Sequence, residues 1–199
     1  AYAHVMISGC SVGSEAALAK LLGFKRVSST EVTEEYVSIA RDRFAHQPEL
    51  RFYQYDGQTL PFRTGEFSML ISGHIIEHTP SPRQYLAEHL RVLAPGGFCF
   101  IEFPNRYHPW ELHTNLPSCE YLPLPLRNGM LRLLASRFSP YSPEQRQLFD
   151  LVRRTLQPVS IGFIARALRR LPGPRSRIIH CYQPRLGFVR MVIRKGQPL

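Results

Sequence analysis

Three short stretches hold residues whose types and spacing suit the binding of a nucleoside. Ser8-Gly9-Cys10-Ser11-Val12-Gly13-Ser14 is a run of small residues directly behind an apolar stretch. Small side chains let a backbone turn sharply and approach a ligand closely. A strand, such a loop and a helix start together form a general nucleotide-binding geometry, although a tight turn without a ligand has the same composition. Glu31 ends the second apolar stretch, where a carboxylate can accept both hydroxyls of a ribose or simply flank a helix. Asp56-Gly57 ends the third. There Asp56 can accept an adenine amino group while the Gly57 amide donates to the ring; the alternative is an ordinary Asp-Gly turn. Side by side, the three ends supply acceptors for one adenosine.

Proton transfer needs a titratable group within reach of the reacting atom, and four histidines qualify: His74, His78, His108 and His113. His74, at the end of the fourth stretch, is best placed. His78 follows Glu77, and the pair reads as a helix entry. His108-Pro109-Trp110-Glu111-Leu112-His113 follows the fifth stretch and reads as a lid or an acceptor wall. A metal held by His108, Glu111 and His113 matches no firm ligand spacing, and no metal site is assigned. Cys10, Cys99, Cys119 and Cys181 show no CxxC spacing, so reduced thiols in a cytoplasmic compartment are expected.

The elements that must position these groups alternate between strand and helix. His4–Ser8, Arg26–Thr30, Arg51–Tyr55, Phe67–Ser72 and Phe98–Phe103 read as short buried strands. Ser14–Leu22 reads as a helix closed by Gly23. Thr33 N-caps the next helix, with Tyr36, Ala40 and Phe44 on its inward face. Ser81 and Pro82 open a third helix, lined by Leu86, Leu90 and Leu93 and ended by Pro95-Gly96-Gly97. Repeated βα units with apolar strands imply a parallel sheet covered on both faces, with ligands outside the carboxyl ends of the strands.

The second half differs in kind. Residues 1–105 carry a net charge of −2, and residues 106–199 carry +12, with 15 of their 16 cations Arg. Leu126–Phe138, Pro143–Leu156 and Ile161–Leu171 read as helices, and Arg175–Tyr182 with Phe188–Arg194 as a closing antiparallel pair. Arg166, Arg169 and Arg170 oppose Ile161, Ile164, Ala165 and Leu168 on the third of these helices. That pattern suits an anionic membrane surface or a phosphorylated partner. One domain is expected: a cofactor-binding half (1–105), a substrate or lid insertion (106–171) and a closing strand pair (172–199), with residues missing upstream of Ala1. No apolar run approaches the roughly 20 residues of a membrane-spanning helix.

Residues 3–105 resemble the class I S-adenosylmethionine-dependent methyltransferases, particularly the branch typified by ubiquinone-biosynthesis-like enzymes. The resemblance rests on Gly9-Cys10-Ser11-Val12-Gly13, Glu31, Asp56-Gly57, Leu60-Pro61-Phe62, Phe67–Leu70, Ile76-Glu77-His78 and Leu90–Gly97. The last string, a helix running into Pro-Gly-Gly and then a strand, is the most specific. The family implies a Rossmann-like, doubly wound α/β fold with a mostly parallel seven-stranded sheet and an antiparallel C-terminal strand. It implies that Gly9, Cys10, Ser11 and Gly13 wrap the methionine part of S-adenosyl-L-methionine, and that Glu31 with Val32 holds the ribose. Asp56 and Gly57 would read adenine, and Ser72, Gly73 and His74 would flank the methyl end. The chain departs from the family at Ile7, where an acid is usual, and at Ser11, where Gly is usual.

The expected activity is methyl transfer to a small-molecule or lipid- or glycan-linked acceptor at oxygen, with His74, His108 and His113 as catalytic candidates. Two alternatives are a nucleic-acid methyltransferase and a cofactor-binding protein without activity. The first is disfavoured by the lack of an Asn-Pro-Pro-Tyr-type motif. A nicotinamide enzyme is also disfavoured, because its Gly spacing would fall on Gly9, Ser11 and Ser14.

Overall fold

The computed structural model describes residues 4–111, 113, 114, 116, 117, 122–173, 175–183 and 187–197. Five strands lie parallel: β1 (Val5–Ser8), β2 (Val27–Glu31), β3 (Leu50–Gln54), β4 (Phe67–Gly73) and β5 (Leu93–Pro104). The short pair β6 (Trp110–Glu111) and β7 (Leu116–Pro117) stands apart. β8 (Arg177–Tyr182) and β9 (Phe188–Arg194) close the main sheet antiparallel, in the order β3-β2-β1-β4-β5-β9-β8. β1 has β2 on one side and β4 on the other, with Ile7 beside both Ser29 and Ile71. Chain order reverses at this strand, so the loops after β1 and β4 part and open a crevice at their carboxyl ends.

Alternation along the strands divides the core in two. Val5 and Ile7 pack with Ala16, Val37, Ala40, Phe44 and Phe52 under α1 (Ser14–Leu21) and α2 (Glu34–Arg43). Met6 and Leu70 pack with Leu86, Leu90, Ile164 and Leu168 under α3 (Pro82–Val92) and α6 (Ile161–Arg170). A separate cluster of Leu131, Phe149, Val152 and Leu156 joins α4 (Leu124–Leu134) to α5 (Pro143–Thr155).

The local signals act largely as expected. Gly23, at φ 94°, closes α1 by donating to Lys20 while Phe24 donates to Ala19, the paired bonds of a left-handed C-terminal cap. The Ser81 hydroxyl accepts from the Gln84 amide, with Pro82 in the first turn. Four expectations need correction. Thr33 occupies the N-cap of α2 without a side-chain bond, and Tyr36 is exposed; Val37 takes its inward place beside Ala40 and Phe44. α6 buries Ile164, Ala167 and Leu168 in the core. That apolar face is unavailable to a bilayer, while Arg166, Arg169 and Arg170 face outward. Pro95-Gly96-Gly97 lies within β5, where the register beside β4 shifts between Phe67 and Met69. Among the described residues Cys10, Cys99 and Cys181 are free thiols, while Cys119 lies outside them. No described helix is long and apolar enough to cross a membrane.

α3 carries a titratable group in the core. His89 is buried, with one ring nitrogen bonded to the Tyr85 carbonyl at 2.8 Å and the other without a partner. Burial pushes its pKa down to about 4, against a small upward pull from the Tyr85 bond. The folded chain therefore holds His89 neutral where the unfolded chain, near pH ~6.5, already binds a proton. Stability should fall as pH drops from about 6.5 to about 4, by about 3 kcal/mol in total, and then level off. Urea denaturation of the wild type and His89→Gln across this range tests it: the difference between the two should carry the slope, and parallel curves would rule His89 out.

Candidate cofactor and acceptor site

The turn after β1 is held from beneath by β2. The Thr30 carbonyl accepts both the Gly9 and the Cys10 amides, at 2.9 and 3.1 Å, and Gly13 donates to Cys10 at 2.8 Å. Gly9, Ser11 and Gly13 all take positive φ, at 72°, 47° and 88°. A Cβ on Gly13 would stand 2.8 and 2.9 Å from the Phe44 and Phe52 rings. Gly13 is thus required by packing as well as by its backbone. Ser11 bears a side chain where the left-handed conformation costs L-residues about 1–2 kcal/mol, the physical meaning of this departure from the family pattern. The Cys10 thiol is pushed up to about 12, by burial first and then by the Glu31 charge, so it is an inert packing group.

Glu31 faces the same turn. Its Oε2 accepts the Ser11 amide at 3.0 Å, and its Oε1 accepts Val32 and Thr33 at 2.8 and 3.2 Å. Val32 is exposed beside it. At the end of β3, Asp56 Oδ1 accepts the amides of Gln58 and Thr59, each at 2.8 Å, and these bonds hold its carboxyl below the usual range. Asp56 is therefore a turn-former and an exposed carboxylate at once, with Gly57 at φ 76° behind it.

The exit of β4 is more crowded. The Ser72 hydroxyl is buried against the Tyr85 phenol at 2.8 Å, and that phenol donates to Ser8 at 2.7 Å. Ser72 accordingly meets the crevice through its backbone. A Cβ built on Gly73 would meet nothing within 4 Å. His74 takes φ 54°, with Nε2 2.8 Å from Glu102 Oε1 and Nδ1 3.6 Å from Glu77 Oε1. The longer contact is charge attraction and not a hydrogen bond. The Glu77 carboxylate raises the His74 pKa, burial opposes it, and Glu102 adds to the rise. Both ring nitrogens thus face carboxylates, an arrangement that favours an imidazolium over a base.

The expected lid histidines separate. His108 bonds to the Trp110 carbonyl at 2.8 Å, and its ring fills the space beside Gly187. His113 instead faces His78, their rings perpendicular with centroids 5.3 Å apart. Glu111, buried, accepts His113 Nδ1 at 2.7 Å as well as the His113 and Thr114 amides and the Thr114 hydroxyl. Burial alone would raise its pKa, but these bonds bring it down to about 2. The Glu111 bond raises the His113 pKa against burial, whereas burial lowers that of His78 against the pull of Glu77. Glu77 is 2% exposed, and neither of its carboxylate oxygens has a hydrogen-bond partner. With Glu111, Asn105, Trp110 and Gln157 it lines a cavity of about 20 Å³, room for about one water. Adjacent Glu and His residues in sequence give no sign of this burial, and the approach of His113 is a product of the fold alone.

The fold is that of solved S-adenosylmethionine-dependent methyltransferases. Residues 7–101 match the family described as a methyltransferase domain, whose cofactor is S-adenosyl-L-methionine. A 37.1 kDa protein in transposon TN4556 of Streptomyces fradiae is 34% identical over 115 residues, 56% of this chain and 32% of that protein. An uncharacterized methyltransferase of Mycobacterium sp. (strain KMS) is 32% identical over 97 residues, 46% of this chain and 38% of the relative. The chain thus spans about a third of the length of these curated relatives. The S-adenosylmethionine-dependent methyltransferase of Mesorhizobium loti superposes with a TM-score of 0.66 at 15% identity, covering 96% of this chain and 90% of that one.

Two sets of substitutions test the reading of the first turn. Gly13→Ala should cost about 2–4 kcal/mol, through φ strain and collision with two rings, whereas Ser11→Gly should gain about 1 kcal/mol. Urea midpoints decide both, and equal stability of the two variants would refute the assignment. Ile7 is 1% exposed in the core beneath α1 and α2. Restoring the family's acid with Ile7→Asp should therefore destabilise by about 3 kcal/mol or more; unchanged stability in the same assay would mean that position 7 opens onto the crevice.

Proposed function

We propose that the chain transfers a methyl group from S-adenosyl-L-methionine to a hydroxyl oxygen of a small-molecule or lipid- or glycan-linked acceptor. The observation that carries the cofactor half is the meeting of Glu31 with the strained Gly9–Gly13 turn. The residues present fit the cofactor: a carboxylate beside the turn for the ribose, Asp56-Gly57 beyond it for adenine, and open space at Gly73 for the methyl end. A carboxylate has about four acceptor positions, and the three amide bonds to Glu31 leave room for one hydroxyl. Engaging both ribose hydroxyls displaces the Ser11 amide, so the turn yields as the cofactor seats.

The bound cofactor supplies an electrophilic methyl on a sulfonium with a good leaving group. The chain's part is to align the acceptor and exclude water and to relieve the hydroxyl of its proton. The acceptor side is the cluster of His74, Glu77, His78 and His113 at the β4 exit, where the hydroxyl oxygen of the acceptor would lie. The exposed Arg166, Arg169 and Arg170 suit an acidic acceptor or an anionic surface on which it is presented.

Calorimetric titration with S-adenosylhomocysteine, with NADH as the control, tests the reading. S-adenosylhomocysteine should bind and NADH should not. Glu31→Ala should weaken binding by about 1.5–3 kcal/mol, the range for hydrogen bonds to a charged group. Binding of NADH alone would overturn the function, and an unchanged affinity in Glu31→Ala would remove Glu31 from the site.

A further inference from the structure

A carboxylate that is 2% exposed and has no hydrogen bond to either oxygen is costly unless a positive charge sits beside it. Glu77 is such a group, and its ion-pair contact with His74 Nδ1, at 3.6 Å, engages only Oε1. One ligand atom from each of Glu77, His78 and His113 lies within 4.8 Å of the other two. Two imidazoles and a carboxylate form a recurrent donor set for first-row transition ions, whereas magnesium and calcium prefer oxygen throughout.

The surroundings of His113 match that use. Its Nδ1 bonds to Glu111 at 2.7 Å, which leaves Nε2 as the free nitrogen. Metal-ligating histidines are commonly oriented by a carboxylate in this way, which fixes both ring and tautomer. Glu111 is itself anchored by three further bonds from His113 and Thr114. Three donors around one ion stand roughly 3.3–3.5 Å apart when each bond is about 2.1 Å. Atoms that lie up to 4.8 Å apart draw in to that spacing, and the exposed His78 is the member free to do so.

We infer that Glu77, His78 and His113 bind one divalent transition-metal ion, of the zinc, cobalt or manganese kind, at the β4 exit. The inference deepens the proposed function and rests on it for one point: an ion there keeps open positions for the acceptor hydroxyl. As a Lewis acid it eases loss of the hydroxyl proton, so His113 serves as a ligand and not as a free base. Binding of the ion itself stands on the donor set, whether or not methyl transfer occurs.

The test uses the full chain after chelator treatment and without cofactor, so that its failure is separate from failure of the methyl-transfer reading. Zn²⁺ should bind at one site by calorimetry, and Co²⁺ should give visible absorption bands of the bound ion; Mg²⁺ should compete with neither. Glu77→Gln preserves the shape of the side chain and should weaken Zn²⁺ binding by at least about tenfold, as should His113→Ala, with Glu111→Gln following by about tenfold through the orientation of His113. Circular dichroism identifies any variant that fails to fold, and His78→Ala, at an exposed position, provides a ligand loss that spares the core. Absence of Zn²⁺ and Co²⁺ binding to the wild type would overturn the inference. So would wild-type affinity in folded His78→Ala together with folded Glu77→Gln or His113→Ala, since the ion would then sit elsewhere.

Discussion

One backbone carbonyl organises the first half of the site. Thr30, in the middle of a parallel ladder, accepts the amides of both Gly9 and Cys10. A strand that simply continued would send only one of these amides toward its neighbour. Drawing both to the same oxygen bends β1 away from the sheet at once, and the backbone answers with left-handed residues at Gly9, Ser11 and Gly13. That bend aims the start of α1 at the crevice and carries the Ser11 amide onto Glu31. The adjoining core obeys the same constraint, because Gly13 leaves no space between its α-carbon and the Phe44 and Phe52 rings. A residue type usually credited to ligand contact is here equally a demand of packing.

On the other side of the switch point the organising contact is polar and buried. The Tyr85 hydroxyl joins Ser8 at the end of β1 to Ser72 at the end of β4. It therefore ties α3 to the two strands whose loops form the crevice. Burial, more than any other influence, holds that phenol protonated, its pKa well above the ordinary value. A fully satisfied network of this kind is rigid, so the crevice has a firm floor while its rim, at Ser11 and His74, carries the strained backbone. Strain concentrated at a rim over a rigid floor is the arrangement by which a site yields locally without loosening the fold.

Elements governed by local rules were legible before any coordinates. The Gly23 stop, the Ser81–Pro82 start, the five buried strands and the closing pair each depend on neighbours a few residues away, and each has a composition that states it. Failures came where two distant segments decide. Tyr36 and Val37 fit the helical period about equally well, and only the position of β3 selects Val37 for the core. The apolar stripe of α6 was legible as a stripe, but nothing in it distinguishes a bilayer from α3 as its partner. In the site, the turn, Glu31 and Asp56 stood out because each ends a strand. Ser72 stood out for the same reason, yet its side chain is committed to Tyr85 on the far side of the sheet.

The acceptor side was the least legible part because its logic is electrostatic and assembled across the chain. Glu77-His78 resembles an exposed helix entry, and burial of Glu77 depends on Gln157, whose amide donates to the Glu77 carbonyl at 2.6 Å, and on the Pro104–Trp110 region that walls the cavity. His74 stands between Glu77 and Glu102, and Glu102 also pairs with Arg190 on β9. Two carboxylates near one imidazole raise its pKa against burial, which favours the protonated ring beside Glu77 at 3.6 Å. A single partner at that distance leaves the other carboxylate oxygen uncompensated. Neighbouring His78 and the carboxylate-oriented His113 each bring a ligand atom within 4.8 Å of a Glu77 oxygen, and this grouping gives the β4 exit a chemistry separate from that of the turn after β1.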